Sequence, residues 1–123
     1  MPIENFEEWT EEFDKDLLPI AQWVDHLFSG KTKWERPTSA KPIKSPVLVR
    51  AIKDIFSIKS FNGVKLRSVV NYLRQNGSVP IGSNSKGYYV CRTVEEIDSN
   101  IRSLQQRANG IIIAADGLKR FMH

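Results

Sequence analysis

Residues 64–92 read VKLRSVVNYLRQNGSVPIGSNSKGYYVCR, and the change of period inside this stretch decides the fold. Leu66, Val69, Val70 and Leu73 recur at helical spacing and form an inward face. Lys65, Ser68, Asn71, Tyr72 and Gln75 are left mostly outward, with Arg67 and Arg74 together on one flank. Asn76-Gly77 closes this helix, predicted over 64–75, as a left-handed cap. The pattern then becomes extended: Ser78-Val79-Pro80-Ile81 is a short strand and Gly82 to Gly87 a loop. Tyr88-Tyr89-Val90-Cys91-Arg92 is a second strand, rich in aromatic and branched residues. Two short strands around such a loop make a β-hairpin over 79–92, and Pro80 confines its own strand to an edge.

Upstream, Ser45-Pro46 is a helix start, a cap followed by proline in the first turn. Val47, Leu48, Ala51, Ile52, Ile55 and Phe56 continue it as an amphipathic helix over 46–57. Asn62-Gly63 marks the turn into the next helix. The order helix, turn, helix, hairpin over residues 45–93 predicts a mainly α chain with a small β-hairpin, a winged helix–turn–helix. In that geometry the second helix enters the DNA major groove and the hairpin, the wing, rests on the flanking backbone. Side chains that can read base edges or hold phosphates there are Lys65, Arg67, Ser68, Asn71, Tyr72 and Arg74 on the helix. Ser83, Asn84, Ser85 and Lys86 form the expected wing tip. For Arg67 and Arg74 a purely structural role, pairing with Glu95 or Glu96 or covering the helix edge, is the competing reading.

Downstream, Thr93-x-x-Glu96 is a capping box that opens a last helix over 94–123. Ile97, Ile101, Leu104, Ala108, Ile111, Ala115 and Leu118 follow at alternating spacings of four and three, a heptad seam that predicts a coiled-coil homodimer. Asn109-Gly110 could interrupt the helix, and Ile111-Ile112-Ile113 would also suit a buried strand; the continuous or slightly kinked helix is favoured.

The net charge of +4 is divided unevenly. Residues 1–28 carry eight acids against Lys15 alone, a net −7, whereas residues 29–123 carry 17 Lys and Arg against six acids, a net +11. A basic body suits a polyanion such as duplex DNA. Residues 30–44 read as a basic, proline-containing linker whose Lys31, Lys33, Arg36, Lys41 and Lys44 could lie along phosphates or serve a plain connector. Residues 1–29 read as an acidic, aromatic helical segment whose apolar face must be buried either on this chain's own core or on a partner. Asn5 is its candidate cap; Phe6, Trp9, Phe13 and Leu17 share a face, and a second stretch from Pro19 carries Ile20, Trp23, Val24, Leu27 and Phe28. Residues 4–28 could engage a protein partner or cover the basic face and hold it inactive. The alternative function is accordingly an adaptor or inhibitor of an enzyme, built on a winged-helix scaffold.

Other classes are disfavoured. One cysteine, Cys91, and two histidines allow no disulfide framework and no expected metal cage, so no cofactor is expected. No phosphate loop, dinucleotide fingerprint or nucleophile elbow occurs, which argues against an enzyme. The longest apolar run, Ile111 to Ala115, is too short to span a bilayer, and no secretory signal is visible.

Leu66-Arg67-Ser68-Val69-Val70-Asn71-Tyr72-Leu73-Arg74-Gln75-Asn76-Gly77, then Val79-Pro80-Ile81-Gly82-Ser83 and Lys86-Gly87-Tyr88-Tyr89, resembles a family of small bacteriophage and prophage winged-helix proteins. The likeness continues through Glu95-Glu96-Ile97 and Ile101-Arg102-Ser103-Leu104 to Arg107, and covers residues 45–108. It implies a phage-encoded DNA-binding module of transcription or replication control, in the cytoplasm of a host bacterial cell. Gly82 departs from the Cys or Ser expected at that place in relatives, and the acidic N-terminus departs wholly.

Overall fold

The structure, a computed structural model, describes residues 13–122. It is mainly helical with one two-stranded antiparallel sheet. A short 3-10 turn, Lys15–Leu17, leads into α1, Leu18–Phe28. Pro19 lies in the first turn of α1, where its missing N–H removes no helical bond. α2 is Ser45–Phe56, again with a proline in its first turn. α3 is Gly63–Asn76; the Asn62 side chain accepts a hydrogen bond from the Lys65 N–H at 3.0 Å and so caps it, whereas its end at Gly77 is extended backbone, φ −83°, and not the left-handed cap expected. The strands are β1, Ile81–Asn84, and β2, Gly87–Val90, and α4 runs from Val94 to Lys119.

Of the two ways to bury the apolar face of the N-terminal segment, the residues described take the chain's own core. Leu17, Ile20, Ala21, Val24, Leu27 and Phe28 join Leu48 and Ile52 of α2, Leu66, Val69, Val70 and Leu73 of α3, and Ile81 and Val90 of the hairpin in one core. Apolar periodicity requires that a face be buried, and the nearest cover is the chain itself. Full burial of one such Leu, Ile, Val or Phe contributes about 1.5–3 kcal/mol, so α1 is integral to the fold. The inner face of residues 17–28 is therefore not free for a protein partner. Asp25 ties α1 to the end of α3: its carboxylate accepts from the Ser78 N–H at 2.9 Å and the Ser78 hydroxyl at 2.8 Å. The expected Asn5 cap and the Phe6 and Trp9 face lie outside the described residues.

Residues 30–44 contain no helix, yet they are not a free connector. Ile43 exchanges both backbone hydrogen bonds with Tyr88 of β2, at 2.8 and 2.9 Å, and the Val90 N–H donates to the Pro37 carbonyl at 3.0 Å. Pro37 is buried beneath this crossing. The open edge of β2 is thus covered by the chain that enters α2. Gly87 permits the approach: its φ is +141°, and a Cβ there would run into the Ile43 carbonyl.

The hairpin is tighter than expected. Gly82 pairs with Tyr89, Ser83 with Tyr88 and Asn84 with Gly87, so the loop is only Ser85-Lys86. Ser83 and Asn84 consequently stand in the strand and not at the tip. The Asn84 side chain accepts from the Lys86 N–H at 2.8 Å and holds the turn.

α4 is continuous through Asn109-Gly110; 26 residues at 1.5 Å per residue extend it to about 39 Å. Thr93 Oγ1 accepts from the Glu96 N–H at 3.1 Å, and Glu96 Oε1 accepts in return from the Arg92 N–H at 2.7 Å. The return bond reaches one residue before the cap, a shifted form of the expected box. A hydrogen bond from Ser39, then that from Arg92, holds the Glu96 carboxyl below the usual glutamate range.

Asn100 joins α4 to the hairpin. Its Oδ1 accepts from the Ser83 N–H at 2.9 Å, and its Nδ2 donates to the Tyr89 hydroxyl at 2.9 Å and to the Glu96 carbonyl at 2.9 Å. Gly82 makes the room, because a Cβ there would lie 2.7 Å from Asn100 Nδ2 and 2.8 Å from Cys91 Sγ. Asn100→Ala orphans the Ser83 N–H and the Tyr89 hydroxyl. It is expected to destabilise the protein by about 1–3 kcal/mol in thermal or urea unfolding; a change below about 0.5 kcal/mol, the usual surface value, would show that α4 is held by other means.

Candidate nucleic-acid interface

The residues of α3 divide by face. Leu66, Val69, Val70 and Leu73 are buried; Val64, Arg67 and Gln75 are exposed, with Ser68 and Asn71 half-buried beside them. This outer ridge is therefore Val64, Arg67, Ser68, Asn71 and Gln75. Arg67 makes no hydrogen bond or ion pair among the described residues. Lys65 lies to one side, its ammonium donating to Ser60 Oγ at 3.4 Å. Tyr72 is stacked on Phe13, ring centroids 4.1 Å apart and planes 19° apart. Its ring is thus part of the packing between α3 and the chain entering α1.

Arg74 faces the hairpin, not solvent. Its Nε donates to the Ile81 carbonyl at 2.9 Å and its Nη2 to Ser83 Oγ at 3.2 Å. It pairs with neither Glu95 nor Glu96. Burial lowers its pKa from the usual arginine range, and the positive charge of Arg107 nearby adds to that shift. The guanidinium and the hydroxyl of Ser83 are joined to each other, so these two expected contact residues fasten α3 to β1. Sequence periodicity places Arg74 correctly on the flank of its helix; it carries no information on what stands opposite.

Lys86 and Ser85 occupy the hairpin tip, both exposed. Around the base of the hairpin the structure brings together cations that are distant in sequence. Lys44, Lys86 and Arg107 line one groove of about 700 Å³, together with Ser45, Pro46, Ser83, Asn84, Ser85, Gly87, Tyr88 and Ser103. No carboxylate among the described residues lines it. On the other side of Lys44 a shallower groove of about 350 Å³ is lined by Trp34, Glu35, Arg36, Pro37, Lys41, Pro42, Ile43, Lys44 and Val47. Trp34 is steadied there by an edge-on contact with Trp23, centroids 5.7 Å apart. Lys41 stands 3.9 Å from Glu35, an exposed pair of small energetic value. Arg36, Lys41 and Lys44 thus share a track with Lys86 and Arg107, whereas Lys31 and Lys33 line neither groove. Arg107 was not among the expected contacts, because nothing in its own helix shows that the hairpin tip approaches it.

The seam residues form a different face of α4. Asn100, Ser103 and Arg107 follow one stripe toward the hairpin, and Ile97, Ile101, Leu104, Ala108 and Ile111 follow the adjacent one. No residue of α4 is buried. Exposure rises along the seam, from 36% at Ile97 and 37% at Leu104 to 62% at Ile111 and 67% at Leu118. Ala115 is half-buried. Cys91 is a buried free thiol, and burial pushes its pKa up, away from nucleophilic use. No group of His, Cys, Asp and Glu among the described residues could hold a metal ion, and none of their helices is long and apolar enough to cross a membrane.

The two arginines of α3 therefore separate. Arg74→Ala removes two hydrogen bonds and leaves the Ile81 carbonyl without its guanidinium partner, with an expected loss of about 1–3 kcal/mol. Arg67→Ala should change stability by less than about 0.5 kcal/mol. Urea denaturation of both variants checks this, and equal losses would contradict the division of roles. Comparison with protein-family models, with curated proteins and with solved structures gave no match.

Proposed function

We propose that this chain is a duplex-DNA-binding protein of the winged helix–turn–helix type, a homodimer of phage type that acts in transcription or replication control and not as an enzyme. The observation that carries the reading is the pairing of two surfaces by Arg74. The outer ridge of α3, with Arg67, Ser68 and Asn71, is locked to a hairpin whose tip is Lys86. The element order adds support: α1, the strand-like Ile43, α2, α3 and then the hairpin is the order a winged helix requires. So does the resemblance of residues 45–108 to phage winged-helix proteins.

In this reading α3 enters the major groove. Asn71 can bond bidentately to adenine, and Arg67 to guanine O6 and N7. Lys65, on the flank, reaches a phosphate, and Lys86 with Ser85 sits on the backbone beyond the groove edge. Arg36, Lys41 and Lys44 extend the phosphate track. Arg74, Ser83 and Tyr72 act through the fold and not through contact. A protein that neutralises several phosphates releases counterions, so binding should weaken steeply with salt. The seam of α4 supplies the dimer: a second copy would cover Ile97, Ile101, Leu104, Ala108, Ile111, Ala115 and Leu118. Two α3 helices could then address half-sites about 34–36 Å apart.

The test is fluorescence anisotropy on a duplex selected from a random pool and on a scrambled duplex. Asn71→Ala is expected to reduce the preference between them by about 1–3 kcal/mol, whereas Lys86→Ala should weaken both alike and lower the salt slope by about 0.9. Equal losses on both duplexes for both variants would remove α3 from the groove.

A further inference from the structure

We propose that the groove between the start of α2, the hairpin tip and α4 is a seat for the phosphodiester backbone, with Arg107 and Ser103 of α4 as contact residues. The inference rests on the duplex-binding reading and extends it to the long helix. Lys44, Lys86 and Arg107 come from three different elements and converge on one cavity of about 700 Å³. Like charges gathered in this way repel, and among the described residues no carboxylate lines the space to balance them. Arg107 also acts on Arg74, a second guanidinium close by whose hydrogen bonds go only to neutral oxygens. Such a surplus of positive charge is relieved by an anion from outside.

The remaining lining fits a phosphate and not an apolar ligand. Ser45, Ser85 and Ser103 offer hydroxyl donors, and the Asn84 amide stands beside them. The first turn of α2 has no side-chain cap, and Ser45 and Pro46 of that turn line the same space, where the positive end of the helix dipole favours an anion. The volume and the spread of cations over three elements suit a run of phosphates and exceed what one free phosphate needs. A strand lying in this groove would pass from Lys44 over the hairpin tip to Arg107. α4 would then serve two faces, the seam for a second copy and the adjacent stripe for DNA.

Binding to a random-sequence duplex across a salt series separates the outcomes. Arg107→Gln is expected to lower the slope of log K against log salt by about 0.9 and to weaken binding several-fold at low salt. Ser103→Glu, which puts a carboxylate into the groove, should weaken it further. Arg102→Gln is the control: five residues away, about 140° around the helix, Arg102 pairs with Asp98 at 3.0 Å and does not line the groove. All three positions are exposed, and circular dichroism with sedimentation verifies fold and mass before binding is compared. If the Arg107 and Ser103 variants bind like the Arg102 control, the groove is not a phosphate seat although the duplex reading stands. If the unaltered protein binds no duplex at low salt, both fall.

Discussion

The Asn100 carboxamide is the joint on which the rest of the molecule depends. Its oxygen takes the Ser83 N–H on the outer edge of β1, and its nitrogen reaches the Tyr89 hydroxyl across the hairpin. Without that joint β1 would present an open edge, and α4 would be held near the body by the bonds of Glu96 to Ser39 and Arg92 at its first turn. The arrangement requires glycine at position 82, where any side chain would meet Asn100, Cys91 and Tyr89. On the opposite side of the sheet Ile43 closes β2, and from α3 Arg74 reaches the Ile81 carbonyl and Ser83. A hairpin of two four-residue strands, too small to be stable alone, is thereby held from three directions.

This construction turns a basic composition into a directed surface. Because the hairpin is fixed to α3 by Arg74 and to α4 by Asn100, Lys86 keeps a constant relation to the outer ridge of α3 and to Arg107. The crossing at Ile43 does the same for Lys44, which stands next to it in the chain. The track proposed for a phosphate backbone therefore follows from backbone pairing more than from any property of the lysines.

Much of this was legible in the residues, and the limits have physical causes. The starts of α2, α3 and α4 were readable because Pro46, Asn62 and Thr93 act within one turn of their own position. The hairpin was readable from the change of period after Gly77, but its loop was drawn too long, since cross-strand register is set by pairing partners and not by loop composition. Local pattern shows that Ile20, Val24, Leu27 and Phe28 must be covered; it does not show whether the chain's own core, here chiefly α3, or a partner covers them. Residues 37–43 looked like a linker because their bonds run to residues about fifty positions away. Asn100 gave no signal, as a polar residue in a surface helix satisfies every expectation of one. The flank of α3 on which Arg74 lies is legible in the sequence, but its bonds to the Ile81 carbonyl and to Ser83 are not, for the same reason.

The seam of α4 is the feature that the described residues leave without a partner. Its residues were legible as a heptad pattern, and in the folded chain they lie on a helix with no buried residue, beside the stripe that Asn100 docks. Burial of several Ile and Leu side chains at about 1.5–3 kcal/mol each is ample to hold two helices together. Pairing with a second copy would set two α3 ridges at a fixed distance, the arrangement that a two-fold DNA site demands. Sedimentation equilibrium of the 123-residue chain at micromolar concentration tests this claim most directly. The account predicts twice the chain mass of 14.1 kDa, whereas a single-chain mass throughout the concentration range would contradict it.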